Sequence, residues 1–334
     1  MRAVIGHDHT WDVLVRAVEA GQVSHAYLLT GPDGIGKTAL ALDFARLLTC
    51  EQVVEGAPCG ECASCRKIAH GNHPDVTLVE VDEGKRQLGV DAVRESVVRA
   101  ANLAPSAGTW RVFILPAVER MTSNTVNALL KTVEEPPDDV VLLLTSADPD
   151  SLLPTLLSRC QILPMQPLPP VEVERALIDR WQVASAAARE LAALAGGCLG
   201  WAVRAHEQPQ LRAERAERLG QILALVDATR DQRIRTAGVL AGDGDAARRT
   251  VELWLLWWRD VTLAASGSAH LVTQGQARRE AERIGRALGL MRAYAFLRAL
   301  LNAQVALDQN ANPRLTLEVL MLDLPTLAPA HGSR

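Results

Sequence analysis

A phosphate-binding loop motif near the N-terminus constrains the fold of this 334-residue chain more than any other feature of its sequence. The residues from Gly31 to Thr38 read GPDGIGKT and fit the pattern G-x-x-x-x-G-K-[ST] in full. The apolar run YLLT precedes them and a helical pattern follows, which is the context that this motif requires. A strand, a glycine-rich loop and a helix in this order predict an α/β nucleotide-binding domain.

Each part of the loop has a chemical role toward a nucleotide. The glycines let successive backbone N–H groups point inward at phosphate oxygens, and the helix N-terminus adds a favourable field. Lys37 is expected to reach the outer phosphates, and the Thr38 hydroxyl to meet Mg²⁺. We therefore predict that ATP or ADP binds at Gly31, Pro32, Asp33, Gly34, Ile35, Gly36, Lys37 and Thr38.

The residues that would hydrolyse the nucleotide are missing from the place where they are expected. An ATPase of this kind holds Mg²⁺ with an acidic residue and positions the attacking water with a carboxylate, usually where an apolar strand ends. The strand predicted at residues 111–115 runs instead into Pro116 and Ala117. Glu119 substitutes only if the strand end is rearranged, and the sequence gives no sign of that. The pattern predicts a nucleotide cradle without hydrolytic machinery.

Strands and helices alternate in the first half of the chain, and helices alone follow. Apolar runs predict strands at residues 25–30, 76–81, 111–115, 140–145 and 161–163. Spacing near 3.6 residues predicts helices at 38–49, 90–102 and 123–135. This alternation is typical of a parallel sheet with helices on both faces.

The second half of the chain begins with a proline-rich linker, which is predicted at 164–170. Further along, Trp254, Trp257 and Trp258 share one face of a predicted helix, which predicts a packed core.

Four cysteines lie within sixteen residues behind the phosphate-loop helix. Cys59, Cys62 and Cys65 are each separated by two residues, and Cys50 precedes them. Four thiolates can surround Zn²⁺ as a tetrahedron, the usual structural outcome. An iron–sulfur cluster is the competitor, but the bacterial ferredoxin pattern expects a further cysteine where Ala69 stands. Unliganded thiols are the third alternative, and the spacing favours structural zinc held by these four residues.

Composition and the N-terminal sequence exclude other classes of protein. Lys and Arg number 35 against 39 Asp and Glu, a net charge of −4, so no global basic field attracts nucleic acid. Contact with DNA must be local or shared with partners. No signal peptide is evident. The sequence also has no run of about 18 uncharged apolar residues, the length that a membrane span needs. We expect a cytoplasmic protein whose six cysteines are ligands or buried thiols rather than disulfides.

Several segments together resemble the clamp-loader subunits of bacterial DNA polymerase III. They are HAYLLTGPDGIGKT, the four-cysteine insertion, NALLKTVEEPP at residues 127–137, LLSRC at 156–160 and NANPRLTLEVLMLDL at 310–324. The resemblance implies an α/β AAA+ domain with a parallel sheet, a small helical lid and an all-α collar. It divides the chain into an AAA+ domain at 1–165 with a zinc module at 50–73, a lid at 166–207, a collar at 208–326 and a flexible tail at 327–334.

Two subunit types of that family compete as models for this chain. The motor subunits, gamma or tau, carry an Asp-Glu pair where this chain has Pro116 and Ala117, and a lid arginine where it has the stretch from Gly197 to Gly200. The delta prime subunit resembles the motor but lacks hydrolysis. Both departures favour a non-catalytic delta prime adaptor, with an ATP-hydrolysing gamma/tau-type motor as the alternative. In some delta prime subunits the phosphate loop has decayed, whereas here it is intact. Whether this chain binds a nucleotide therefore stays open.

The resemblance also implies partners and a role for Arg159. It predicts a hetero-pentamer with gamma/tau and delta subunits that loads the sliding clamp onto primer-template DNA. In similar subunits the arginine of the Ser-Arg-Cys motif projects toward the nucleotide of a neighbour. Arg159 is therefore expected to be a catalytic arginine finger in trans. Composition alone favours a simpler role, an ion pair with an acidic surface neighbour.

Overall fold

The computed structural model describes residues 3–79, 90–269, 272, 278–309 and 311–327. The chain divides into two compact units, one made of Met1–Trp181 with Gly197–Trp201 and the other of Gln182–Gly196 with Ala202–Arg334. Among the described residues, no helix combines the length and apolar character that a membrane span needs. The division into lid and collar at residues 166–207 and 208–326 stays a prediction.

Five parallel strands form the sheet of the first unit, in the order β2-β3-β4-β1-β5. Their bounds are Ala26–Thr30 (β1), Val76–Leu78 (β2), Arg111–Leu115 (β3), Val140–Ser146 (β4) and Gln161–Pro164 (β5). The central strands β1, β3 and β4 are buried along their whole length, because helices cover both faces of the sheet. All five predicted strands are confirmed, although residues 80 and 81 of the second lie outside the described residues.

Seven helices belong to the first unit among its described residues. Their bounds are Asp8–Glu19 (α1), Lys37–Thr49 (α2), Ala63–Ala69 (α3), Val90–Val93 (α4), Ser123–Glu134 (α5), Pro154–Leu157 (α6) and Pro170–Trp181 (α7). The helix predicted at 90–102 is regular only in α4 and continues as a π-helical turn and a 3-10 turn. Helix α2 packs Leu40 and Phe44 on one face of the sheet, and α5 packs Leu129 on the other.

The register of the strands brings three loops to one edge of the sheet. Thr30 at the end of β1 pairs with Ser146 of β4, and Leu115 at the end of β3 pairs with Leu144. Because the strands are parallel, the segments that follow β1, β3 and β4 all leave from this edge. Open parallel sheets bind their ligands in the crevice outside these carboxyl ends. The phosphate loop is the segment that follows β1.

The other described helices lie in the second unit, apart from the first residues of one of them. Their bounds are Ser185–Ala195 (α8), Leu199–Glu207 (α9), Pro209–Val226 (α10), Arg230–Leu240 (α11), Gly244–Ala265 (α12), Arg278–Asp308 (α13) and Pro313–Asp323 (α14). The first three residues of α9 belong to the first unit. Trp254, Trp257 and Trp258 are fully buried, which confirms the predicted core. Trp258 packs edge-on against Phe296 with ring centroids 4.6 Å apart and donates to the Ala293 carbonyl.

Candidate nucleotide site and cysteine cluster

The phosphate loop joins β1 to α2 and depends on glycine for its backbone shape. Gly31, Gly34 and Gly36 all have positive φ angles, of 143°, 79° and 118°. A Cβ atom at Gly31 would lie 2.8 Å from the Met165 carbonyl oxygen, closer than any side chain tolerates. The sequence motif therefore reflects a backbone conformation that other residues adopt only with strain.

Lys37 at the start of α2 turns its side chain back into the loop. Its ammonium group donates to the carbonyl oxygens of Gly31, at 2.5 Å, and Pro32, at 3.1 Å. Asp33 Oδ1 lies 3.7 Å from the same nitrogen. Burial lowers the pKa of Lys37, and the negative charges of Asp33 and Glu119 oppose this shift. The loop thus encloses a cation that can donate to phosphate oxygens.

The segment after β3 has the rearranged backbone that Glu119 needs to substitute for the missing acidic residues. Nothing in the sequence indicates this rearrangement. Ala117 has a left-handed conformation, with φ 51° and ψ 54°, and a 3-10 turn follows at Val118–Arg120. The Ala117 N–H donates to the hydroxyl of the buried Thr145 on β4, at 3.0 Å. A non-glycine residue in this conformation is uncommon and is often found at functional sites. The turn after β3 is therefore bound to the end of β4.

This turn brings Glu119 beside the phosphate loop. Glu119 Oε1 accepts a hydrogen bond from the Ala147 N–H at 3.2 Å. Its other oxygen, Oε2, is buried and has no hydrogen-bond partner among the described residues. The next residue, Arg120, forms an ion pair with Asp33 of the loop at 3.3 Å. Lys37, Asp33, Glu119 and Arg120 thus form one charged cluster that the sequence did not predict.

Two further residues contact the phosphate loop, and the sequence does not predict either contact. The Gly200 N–H, at the start of α9, donates to the Gly34 carbonyl at 2.7 Å. His7 Nε2 lies 3.1 Å from the carbonyl oxygen of Ile35. Gly200 and His7 lie far from the motif in sequence and carry no pattern that marks them. In the stretch at 197–200, where the resemblance implies a lid arginine, a glycine backbone contacts the loop instead.

The four cysteines of the predicted metal site meet in one cluster. Their sulfur atoms all lie within 4.8 Å of one another, and the Cys65 and Cys50 sulfurs are 3.7 Å apart. Two sulfurs on a zinc ion are about 3.8 Å apart in a regular tetrahedron with bonds of about 2.3 Å. None of the six cysteines forms a disulfide. The four sulfurs could hold a metal ion with little movement.

Backbone N–H groups support the sulfurs of this cluster. The N–H of Cys59 donates to Cys50 Sγ, that of Cys62 to Cys59 Sγ and that of Cys65 to Cys62 Sγ, at 3.3 to 3.4 Å. The N–H groups of Glu61 and Cys62 lower the pKa of Cys59 to about 6, whereas burial raises the pKa of Cys65 to about 12. A cation that binds here finds Cys59 already ionised at neutral pH and must displace the proton of Cys65, because metals bind cysteine as the thiolate.

Arg159 lies apart from the phosphate loop of its own chain. Its side chain is 38% exposed, and Nη2 lies 3.0 Å from Glu134 Oε1 at the end of α5. Nη1 donates to the Thr155 carbonyl at 2.9 Å and to the Ser158 hydroxyl at 3.3 Å. The ion pair with an acidic surface neighbour, which composition alone favours, is therefore present. Its exposure also leaves the guanidinium accessible from outside.

Comparison with known proteins places these features in a family context. Residues 6–169 match the family described as DNA polymerase III, delta subunit. The DNA polymerase III subunit delta' of Pseudomonas aeruginosa is 43% identical over 201 residues, which cover 59% of this chain and 60% of the relative.

Subunits named tau and gamma/tau are also similar to this chain. The tau subunit of Bacillus subtilis is 39% identical over 158 residues, covering 47% of this chain and 27% of its own. The gamma/tau subunit of Mycobacterium bovis is 40% identical over 177 residues, covering 53% of this chain and 30% of its own. This chain therefore spans less than two thirds of the length of each of these relatives.

Proposed function

We propose that the chain is a clamp-loader subunit of bacterial DNA polymerase III, to whose subunits residues 6–169 are similar, and that it acts as a delta prime-type subunit. In this role it binds a nucleotide without hydrolysing it. It assembles with gamma/tau and delta subunits into a hetero-pentamer that loads the sliding clamp onto primer-template DNA. The 43% identity to a delta' relative supports this choice of subunit type.

The chemistry at the end of β3 is the observation that carries this proposal. Pro116 and Ala117 follow the strand directly, and neither side chain can bind a metal or accept a proton. Glu119 is the carboxylate that the turn brings to the loop, and its Oε1 already accepts a backbone N–H. An ATPase divides metal binding and water positioning between separate groups. A single free carboxylate oxygen supports nucleotide binding without turnover.

The loop residues fit the phosphates of ATP or ADP. The positive φ angles of its glycines allow the curled backbone that presents N–H groups to oxygen atoms. Lys37 donates to two loop carbonyls and can transfer these donors to phosphate oxygens. Thr38 stands at the first turn of α2, where the hydroxyl of this motif meets Mg²⁺. Mg²⁺ supplies neutralisation of phosphate charge when it is bound with the nucleotide.

Arg159 is proposed as the finger that acts on the nucleotide of a neighbouring subunit. Its guanidinium is planar and permanently charged, and it can donate two parallel hydrogen bonds to phosphate oxygens. The exposed ion pair with Glu134 can be given up at small cost when a stronger anionic partner is offered. A subunit that does not hydrolyse its own nucleotide thereby contributes to hydrolysis elsewhere in the assembly.

Structural zinc is the metal that we propose for the cysteine cluster. Four sulfur ligands use every position of a tetrahedral ion, which leaves none for a substrate. Ala69 stands where a ferredoxin-type cluster expects another cysteine, which disfavours iron–sulfur ligation. Zinc in this place stabilises the segment between α2 and β2, which has few apolar side chains of its own to bury.

Assembly with other subunits is supported by an apolar surface of the second unit. Leu315, Val319 and Leu322 share one face of α14 and are 61%, 58% and 55% exposed. Large exposed apolar patches mark protein interaction sites more often than free surface. This surface fits the collar through which clamp-loader subunits associate.

A steady-state ATPase assay of the purified chain tests the proposal against the motor alternative. The matched control is Lys37→Ala, which removes the loop cation and should abolish any activity of this site. We expect no turnover above that control, and stimulation of gamma/tau activity when the complex is reconstituted. Turnover that depends on Lys37 in the isolated chain would contradict the adaptor role and support the motor.

A further inference from the structure

Glu119 Oε2 is a buried carboxylate oxygen that nothing in the described part of the chain explains. It has no hydrogen-bond partner there, although Oε1 of the same group is bound by the Ala147 N–H. Leaving an anionic oxygen buried without a partner is unfavourable, and such groups in native proteins usually have a functional partner or a bound ion or water. The oxygen therefore points to a ligand that completes its bonding.

The position of Glu119 identifies that ligand. Strand β4 lies between β3 and β1 in the sheet, and Gly31, the first loop residue, donates to the Ser146 carbonyl at the end of β4. Ala147, which holds Glu119, directly follows that serine. Glu119 is thus one strand closer to the loop than the end of β3, where Pro116 stands. Its charge reaches the loop, because it opposes the lowering of the Lys37 pKa.

Local structure fixes Glu119 in this place. The left-handed Ala117 is held by the Thr145 hydroxyl, and the 3-10 turn that follows sets the direction of the side chain. Arg120 in the same turn pairs with Asp33 of the loop. Because the turn is bound at both β4 and the loop, the carboxylate is positioned before any ligand arrives.

We propose that Glu119, through Oε2, holds the Mg²⁺ that accompanies a nucleotide in the phosphate loop. This inference rests on the proposed function, namely that the loop binds ATP or ADP. It assigns to Glu119 the metal-binding task that an acidic residue at the end of β3 performs in related ATPases. Because Oε1 is occupied by Ala147, the same carboxylate does not also position an attacking water. The chain therefore retains a magnesium nucleotide as a stable ligand.

Calorimetric titration of ADP into the full chain tests this role, once in excess Mg²⁺ and once in EDTA. Glu119→Gln keeps the size of the side chain and an oxygen for the Ala147 N–H but removes the negative charge. The matched control is Asp150→Asn, an exposed carboxylate in the 3-10 turn at Pro149–Ser151 beyond β4. We expect Glu119→Gln to bind ADP about tenfold or more weakly than wild type in Mg²⁺. In EDTA it should bind equally well or better, because a charge that repels phosphate is gone.

If Glu119 has only a structural role, Glu119→Gln weakens ADP binding by the same factor in Mg²⁺ and in EDTA. Mg²⁺ then raises the ADP affinity of the variant as much as that of the wild type. This outcome overturns the inference, even though the loop still binds ADP. If the wild-type chain binds ADP in neither condition, the proposed nucleotide binding fails as well.

Electron paramagnetic resonance of Mn²⁺ in the presence of ADP provides a readout that does not depend on activity. In the presence of ADP, the wild type and Asp150→Asn should bind Mn²⁺ and so reduce the signal of free Mn²⁺. Glu119→Gln should bind Mn²⁺ about tenfold more weakly. Should Glu119→Gln fail to fold, Glu119→Asp keeps the charge one methylene further back and should show an intermediate loss. Full Mn²⁺ retention in Glu119→Asp, with the nucleotide equally bound, also counts against the inference.

Discussion

Arg159 Nη2 lies 3.0 Å from Glu134 Oε1, so the arginine proposed to act on a neighbouring subunit is held by a carboxylate of its own chain. The two side chains are 38% and 43% exposed. Exposed ion pairs of this kind contribute at most about 1 kcal/mol to stability. The pair therefore orients the guanidinium in the free chain without fixing it there.

Arg159→Ala should leave folding, zinc content and assembly intact but lower the DNA- and clamp-stimulated ATPase of the reconstituted loader. A finger supplied in trans contributes about 10³ to 10⁵ in rate where hydrolysis is otherwise slow. Arg159→Lys should rescue little, because an ammonium cannot donate two parallel bonds. The measurement is the steady-state rate of the whole complex.

Arg99→Ala is the matched control for that experiment. Arg99 is also exposed and pairs with Glu95 within one helical segment, and no role toward a neighbour is proposed for it. Its replacement should leave the rate of the complex unchanged. Wild-type activity in a complex that carries Arg159→Ala would remove the trans role and leave a structural adaptor.

The cysteine cluster should contain one tightly bound Zn²⁺ per chain. Cys62→Ser should lower the zinc content and increase hydrogen exchange in residues 50–73, because Cys62 caps α3 and also supplies a sulfur. The phosphate loop should still bind nucleotide. Elemental analysis of protein purified without chelator measures the metal. Iron with visible absorbance, or no metal at all, would contradict this prediction.

The matched control for the cluster is Cys160→Ser. Cys160 stands outside the group of four sulfurs, so it supplies no ligand to the metal. Its replacement should leave zinc content unchanged. Equal loss of zinc in both variants would mean that the metal responds to general destabilisation and not to the ligand set.

The sequence predicts most of the fold because its signals are local. All five strands and the helices at 38–49 and 123–135 follow from apolar spacing, whereas α1 was not predicted. The four cysteines are close in sequence, so their meeting was also predictable. The helix at 90–102 was only partly right, since its regular α-helical hydrogen bonds end at Val93.

The parts that could not be predicted join distant segments through backbone conformation. Glu119 reaches the loop because Ala117 is left-handed, and nothing in the residue type announces that conformation. Gly200 and Gly34 are 166 positions apart and meet through backbone atoms alone. The resemblance marks the stretch at 197–200 only as the place of a missing lid arginine, whereas the structure shows its Gly200 N–H bound to the loop.

The phosphate loop should bind ADP, and Lys37→Ala should abolish that binding. The Lys37 pKa is lowered by burial, so its ammonium loses the proton at a lower pH than an exposed lysine does. We therefore expect ADP affinity to fall as the pH rises into the alkaline range. Titration with a fluorescent nucleotide across that range measures the effect. Affinity that is independent of Lys37 would mean that the loop is a relic and the nucleotide binds elsewhere.

Gly200→Ala should disturb the phosphate loop, because the start of α9 has no room for a side chain. A Cβ atom there would lie 2.8 Å from the Gly34 carbonyl oxygen, the atom that accepts the Gly200 N–H. Either the loop or the helix start must shift, and forced contacts of this kind typically cost about 1–3 kcal/mol. The expected result is a lower melting temperature, faster hydrogen exchange in residues 31–38 and weaker ADP binding.

Gly220→Ala separates this contact from the general effect of alanine in a helix. Gly220 lies in α10, where a Cβ atom meets nothing within 4 Å. Alanine stabilises a helix interior by about 0.5–1 kcal/mol relative to glycine, so this variant should melt at a higher temperature and bind ADP unchanged. Both substitutions add one methyl group to a helix, and only the one at Gly200 meets the loop. If Gly200→Ala stabilises the chain as Gly220→Ala does, the contact between α9 and the phosphate loop has no energetic role.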